Sequence, residues 1–164
     1  GTTSLAYHLA ERFGLRVVSA GEAFRQLAKE RGMDLAEFSR LAENNQTIDM
    51  QIDARQKEIA GAEDEIVVEG RLSGWMVEHA DLKIWLDAPL PVRARRISER
   101  DGGDEGSALE RTKVREASER VRYRTYYGID IGDLSPYHMV LDTALWNREE
   151  LASIVDLAVS YLRE

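Results

Sequence analysis

Apolar positions recur along the chain at two spacings, and the switches between them divide it into alternating helices and strands. Leu5, Leu9, Ala10 and Phe13 fall three or four residues apart, which predicts a helix over residues 2–13 with Gly14 as its stop. LRVVSAG (15–21) then changes character: it reads as a short apolar strand ending in small residues. GEAFRQLAKERG (21–32) returns to helical spacing and is closed by Gly32. MDLAEFSRLAENN (33–45) and TIDMQIDARQKEIAG (47–61) predict two more helices. Leu35, Phe38 and Leu41 face one way in the first, Ile48, Ile52 and Ile59 in the second. EIVVEG (65–70) and ADLKIWLDAP (80–89) are strands bounded by turn residues. LPVRARRISER (90–100) is a helix, DGGDEGS (101–107) a glycine-rich acidic loop, and ALERTKVREASERVRYRTYYG (108–128) a long helix. YHMVLDT (137–143) is a fourth strand, and a closing helix over 147–164 has Asn147 as its N-cap.

Strands alternating with helices predict a parallel sheet covered on both faces. The first unit of such a fold is normally a strand that feeds its helix. Here the helix opens the chain, so Gly1 reads as a truncation point, with the first strand expected before it.

Composition narrows the chemistry. The 164 residues suffice for one domain with a real core, and 43% hydrophobic with 32% charged residues is globular rather than disordered. No run of apolar residues is long enough to span a membrane. The absence of cysteine removes disulfides, thiol catalysis and cysteine zinc sites, and fits a cytoplasmic protein. A net charge of −8 argues against a nucleic-acid binder, yet local arginine clusters can still draw in a small anion. A monomer acting on small molecules is the expectation.

Four stretches carry that anion chemistry. The opening GTTS matches the end of a G-x-x-x-x-G-K-[ST] loop, with Gly1 as the second glycine, Thr2 at the lysine position and Thr3 at the magnesium position. By itself it is also a plain helix cap. SAGEAFR runs a strand into Ser19 and Gly21 and sets Arg25 one turn inside the next helix, where it can grip a phosphate or simply lie on the surface. IVVEGRLSG delivers Glu69, Gly70 and Arg71 at a strand's C-terminal end, the place where ligands bind in open α/β sheets. An acid and an arginine there are hard to explain as ordinary surface. Finally, Arg96 and Arg100 precede the 101–107 loop, while Arg111, Arg115 and Arg122 share one face of the helix after it. Arg115 with Glu119 and Glu116 with Arg120 could be ordinary helix pairs. Two basic faces around a glycine-rich loop also describe a lid that folds over phosphates. His8, His79 and His138 lack metal-ligand spacing, and Trp75, Trp85 and Trp146 read as packing residues. Asp49 and Asp53, with Arg55 nearby, are either a solvated helix face or polar groups reaching a substrate.

In this order the four stretches resemble the nucleoside monophosphate kinases, and VVSAGEAFRQLAKERGMDLAEFSRLAE, IDMQIDARQKEIA, VVEGRLSGWM, KIWLDAPLPVRARRI, REASERVRYRTYYGIDIGDLS and VLDTALW resemble the archaeal-type cytidylate kinases over nearly the whole chain. The resemblance implies an α/β fold, a three-layer α/β/α P-loop kinase with a five-stranded parallel sheet of order 2-3-1-4-5, the central first strand lying before Gly1. It implies one domain over 1–164, with 22–63 as the insertion that binds the monophosphate and 100–127 as the lid. It implies ATP and Mg²⁺, with Gly1, Thr2 and Thr3 at the phosphates, Thr3 on the metal, and Arg96 and Arg100 approaching ATP. Ser19, Gly21, Arg25, Gly70 and Arg71 would bind the acceptor, CMP or dCMP. Asp53 and Arg55 would contact cytosine or ribose, and Arg115 and Arg122 would be the catalytic lid arginines. Thr2 departs from the usual lysine, which leaves a lid arginine to offset charge on the transferred phosphates. The alternatives are a UMP or AMP acceptor, shikimate less readily because it calls for a glycine triplet where EGRLSG stands, and a nucleotide-binding module without turnover.

Overall fold

The computed structural model describes all residues from Gly1 to Glu164. Eight helices and four strands alternate: α1 (Thr2–Phe13), β1 (Arg16–Ser19), α2 (Ala20–Glu30), α3 (Leu35–Glu43), α4 (Gln46–Ala62), β2 (Ile66–Glu69), α5 (Ser73–Met76), β3 (Ile84–Asp87), α6 (Leu90–Asp101), α7 (Glu105–Tyr127), β4 (Met139–Asp142) and α8 (Arg148–Leu162). The strands form two parallel pairs, β1 with β2 and β3 with β4. Register sets Ser19 opposite Glu69 and Asp87 opposite Asp142, so each pair ends level at its C-terminal edge. A parallel pair cannot be joined by a hairpin, and each crossover here is built from helices.

Three apolar clusters hold the elements. Leu9 of α1 packs with Leu141 of β4 and Leu151 and Val155 of α8, and Val67, Ile84 and Leu86 from both strand pairs lie against this cluster. Both pairs therefore share one core beneath α1. A second cluster joins α2, α3 and α4 around Ala28, Phe38, Ala42, Ile48 and Ile52. The third sets Leu72, Tyr123 and Ile131 together, with Trp75 and Trp85 packed on it.

Several boundaries and faces differ from expectation. Helix α2 begins at Ala20, because the Ser19 side chain caps it by accepting from the Glu22 amide at 3.3 Å, so Gly21 lies inside the first turn. The 101–107 loop shrinks to 102–104: Asp104 caps α7 by accepting from the Ser107 amide at 2.8 Å and draws 105–107 into that helix. Gly102 and Gly103, at φ 77° and 103°, make the turn that lets α6 and α7 pack against each other. Leu35 is exposed, since the face of α3 that meets α4 is Phe38 and Ala42. The four-residue α5 has no periodic signal and is absent from the sequence pattern. Asn147 caps α8 as expected, in a reciprocal box with Glu150.

Candidate active site

The C-terminal ends of β1 and β2 meet the N-terminus of α1. Gly1 caps α1 without a side-chain hydrogen bond, so its first amides are free to face an anion. The Thr2 hydroxyl donates to one oxygen of Glu69 at 2.7 Å, and the Ser19 hydroxyl donates to the other at 2.5 Å. Buried Gln56 of α4 donates to the Glu69 carbonyl at 3.1 Å. Glu69 thus ties the start of α1, the β1–α2 junction and α4 to one strand end. Thr3 sits half-buried in the same first turn.

Gly70 serves a close approach. A Cβ on Gly70 would stand 2.8 Å from the Ala20 Cβ and 3.0 Å from the Ser73 hydroxyl. Above Gly21 lies the Arg25 guanidinium, whose Nη1 would be 3.4 Å from an added Cβ. Arg25 therefore folds back over the β1–α2 turn although its side chain is exposed.

Past β2, Arg71 is gripped by α7 rather than by its own neighbours. Its Nε donates to Glu119 at 2.8 Å and its Nη2 stands 3.5 Å from Glu116, both on α7. Arg115 reaches the other Glu119 oxygen at 3.8 Å. Glu116 pairs with Arg93 of α6, not with Arg120, because α6 packs alongside that face of α7. Arg93 is itself tethered by its Nε to the Ala88 carbonyl at 2.9 Å, and burial together with Arg71 lowers its pKa.

Farther along α7, Arg122 donates to Asp49 of α4 at 2.8 Å and to Ser118 at 2.7 Å. Tyr127 donates to Asp53 at 2.6 Å. Burial pushes the Asp53 carboxyl up to about 6, against the lowering effect of the tyrosine hydroxyl, and burial and Asp53 push the Tyr127 phenol up. Asp49 is likewise raised by burial, with Arg122 opposing. The shared face of Arg115 and Arg122 thus splits in use, Arg115 exposed and Arg122 sealed against α4. Arg55 is exposed on α4 and joins none of these contacts.

On the opposite side, Arg96 grips Thr143 twice, Nη1 to the hydroxyl at 2.8 Å and Nη2 to the carbonyl at 2.6 Å, beside a shallow groove lined by Val92, Arg95 and Ala144. Arg100 pairs with its neighbour Asp101 at 2.7 Å.

Glu69, Gly70, Ser19, Gly21, Arg25 and Arg71 are thus brought to one edge, while Arg96 and Arg100 make their contacts elsewhere, with Thr143 and Asp101. The residues that sequence reasoning missed are Arg93, Tyr127 and Thr143, which contact residues it had singled out or their partners. Arg93 is one arginine among several in RARRISER, and its role is set by α6–α7 packing. Tyr127 carried a weak signal in the aromatic run YRTYYG.

Known proteins share this chain's sequence throughout. A family model described as "Cytidylate kinase-like family" matches residues 1–145. The cytidylate kinase of Methanospirillum hungatei is 56% identical over 165 residues, covering 100% of this chain and 93% of that protein. That of Methanosphaerula palustris is 57% identical, covering 100% and 94%. That of Pyrococcus abyssi is 49% identical, covering 100% and 90%. Among solved structures, an uncharacterized protein from Eubacterium ventriosum superposes with a TM-score of 0.66 at 20% identity, over 98% of this chain and 90% of that one, which speaks for the fold alone. With a family model over residues 1–145 and relatives of this identity over the whole chain, the chain belongs to the cytidylate kinase-like family.

Proposed function

We propose that the protein transfers the γ-phosphoryl group of ATP to CMP, giving ADP and CDP, with dCMP as a second acceptor. The observation that carries this reading is the meeting of the α1 N-terminus and the β1–α2 junction at Glu69, with Arg71 two residues past that strand end. An anion-binding helix end and an acceptor-side arginine then lie on one sheet edge. The strand order 2-3-1-4-5 belongs to the same reading, with β1 and β2 as second and third strands and β3 and β4 as fourth and fifth. Both observed pairings agree with it.

In this mechanism the amides after Gly1 hold the ATP phosphates, and Arg96 and Arg100 approach the nucleotide from the hinge of a lid spanning 100–127. Thr2 offers no charge where a lysine is usual, and a lid arginine offsets the charge on the transferred phosphates in its place. Ser19, Gly21, Arg25, Gly70 and Arg71 receive the acceptor phosphate, and Asp53 and Arg55 of the 22–63 insertion receive its nucleoside. Phosphoryl transfer proceeds through a loose transition state, so positioning and charge stabilisation by Arg115 and Arg122 carry most of the catalysis, and Arg122 must first exchange its Asp49 partner for the phosphate. Closing of the 101–107 region and the 22–63 segment over the ligands would exclude water, which would otherwise hydrolyse ATP. Mg²⁺ suits the hydroxyl of Thr3 and the carboxylate of Glu69, both hard oxygen donors at one helix end. When bound, it neutralises charge on the transferred phosphates. The reading describes a cytoplasmic monomer acting on soluble nucleotides; no helix is long and apolar enough to cross a membrane.

A coupled ADP-release assay with ATP, Mg²⁺ and CMP, dCMP, UMP, AMP or shikimate tests the assignment. Turnover strongly favouring CMP is expected. Preference for UMP or AMP would reassign the acceptor, and ATP binding without turnover on any acceptor would make the protein a binding module.

A further inference from the structure

Arg71 is oriented from one side only. Its Nε meets Glu119 at 2.8 Å and its Nη2 stands 3.5 Å from Glu116, while Nη1 has no partner in the hydrogen bonds of the fold. The side-on edge of the guanidinium is therefore held by carboxylates, and the end-on edge is left for a ligand. Glu116 is in turn paired with Arg93, and Arg93 is tethered to the Ala88 carbonyl where β3 passes into α6. Glu116 and Glu119 are largely enclosed, with 21% and 13% of their side chains exposed. Three guanidiniums (Arg71, Arg93, Arg115) share these two carboxylates, so the cluster keeps one positive charge that a further anion would answer.

We infer that Glu116 and Arg93 are positioning residues for the acceptor phosphate: they hold the Arg71 guanidinium at the angle at which its free edge meets that phosphate. This rests on the reading of Arg71 as an acceptor-phosphate ligand. A planar guanidinium binds a phosphate through two parallel hydrogen bonds, so its tilt matters as much as its charge. Glu116 lies on α7 and Arg93 on α6, so the pair also makes the packing of the lid helices a condition for a correctly aimed Arg71. Loss of the Glu116 charge frees Arg71 to rotate about its single remaining contact with Glu119.

The test is Glu116→Gln, which keeps shape and removes charge, measured beside Arg71→Ala and the double variant. KM for CMP should rise about tenfold in Glu116→Gln, the scale of one charge-assisted hydrogen bond, with kcat and KM for ATP near wild type. Binding of cytidine, which lacks the phosphate, should be unchanged, and the substitution should add nothing on the Arg71→Ala background. A purely structural role would instead lower the melting temperature and move cytidine and CMP binding together, and that result overturns the inference. An unchanged KM for CMP in Glu116→Gln, with a raised one in Arg71→Ala, overturns it too and leaves the acceptor reading standing. An unchanged KM for CMP in Arg71→Ala overturns the acceptor reading itself. Should Glu116→Gln fail to fold, Arg93→Lys keeps the charge but loses the fork; a severalfold rise in KM for CMP without a change for cytidine supports the inference, and no rise overturns it.

Discussion

Asp49 and Arg122 form the most enclosed ion pair of the molecule, Nε to carboxylate at 2.8 Å with 10% and 14% of the side chains exposed. The pair joins α4 to α7, and the Tyr127–Asp53 hydrogen bond joins the same two helices one turn farther on. Helices α4 and α7 are thus strapped together by two polar contacts rather than by an apolar seam.

Breaking such a pair from one side leaves a nearly buried charge without its partner. Asp49→Ala should therefore destabilise the fold by about 3 kcal/mol in chemical denaturation. Glu110→Ala, which removes an exposed pair with Lys113, should cost less than about 1 kcal/mol. An unchanged midpoint for Asp49→Ala would mean that the strap does not exist in solution.

Asp53 gives the fold a pH dependence of defined sign. Its carboxyl is raised from 3.8 to about 6, burial being the largest cause, so the folded state favours the protonated form. Stability from this group is complete at pH below about 4 and is lost as pH rises through about 6. Asp53→Asn removes the dependence. It should be more stable than wild type at pH 8 by on the order of 2 kcal/mol, with the gap closing towards pH 4. Parallel denaturation curves across that range would contradict the burial of Asp53.

Gly70→Ala and Gly61→Ala should differ in sign. At Gly70 a methyl meets the Ala20 Cβ at 2.8 Å and must push β2 from α2, costing about 1–3 kcal/mol. Gly61 lies within α4 with nothing within 4 Å, so alanine there should stabilise by about 0.5–1 kcal/mol through helix propensity. Thermal melts of the two variants check this directly.

Arg71→Ala should lose activity through acceptor binding, with the rise in KM for CMP exceeding any change in KM for ATP. Wild-type kinetics in that variant would remove Arg71 from the site.

Apolar spacing and capping residues are local signals, and they marked the order and type of every element except the four-residue α5. Asn147 with Glu150 marks a helix start regardless of what surrounds it. The strand-end groups Ser19, Glu69 and Arg71 were also legible, since a buried parallel strand leaves little doubt about which end carries polar residues. Local spacing could not say whom the charged residues would meet. Glu116 and Arg120 stand at ideal helix spacing, yet Glu116 turns to Arg93 because α6 packs against it. Arg115 and Arg122 share a helical face, yet only Arg122 is sealed by Asp49, since α4 covers one end of α7 and not the other. Ion pairs of long side chains differ little in energy on a helix surface. The choice among them falls to tertiary packing, which decides which charges lose their water.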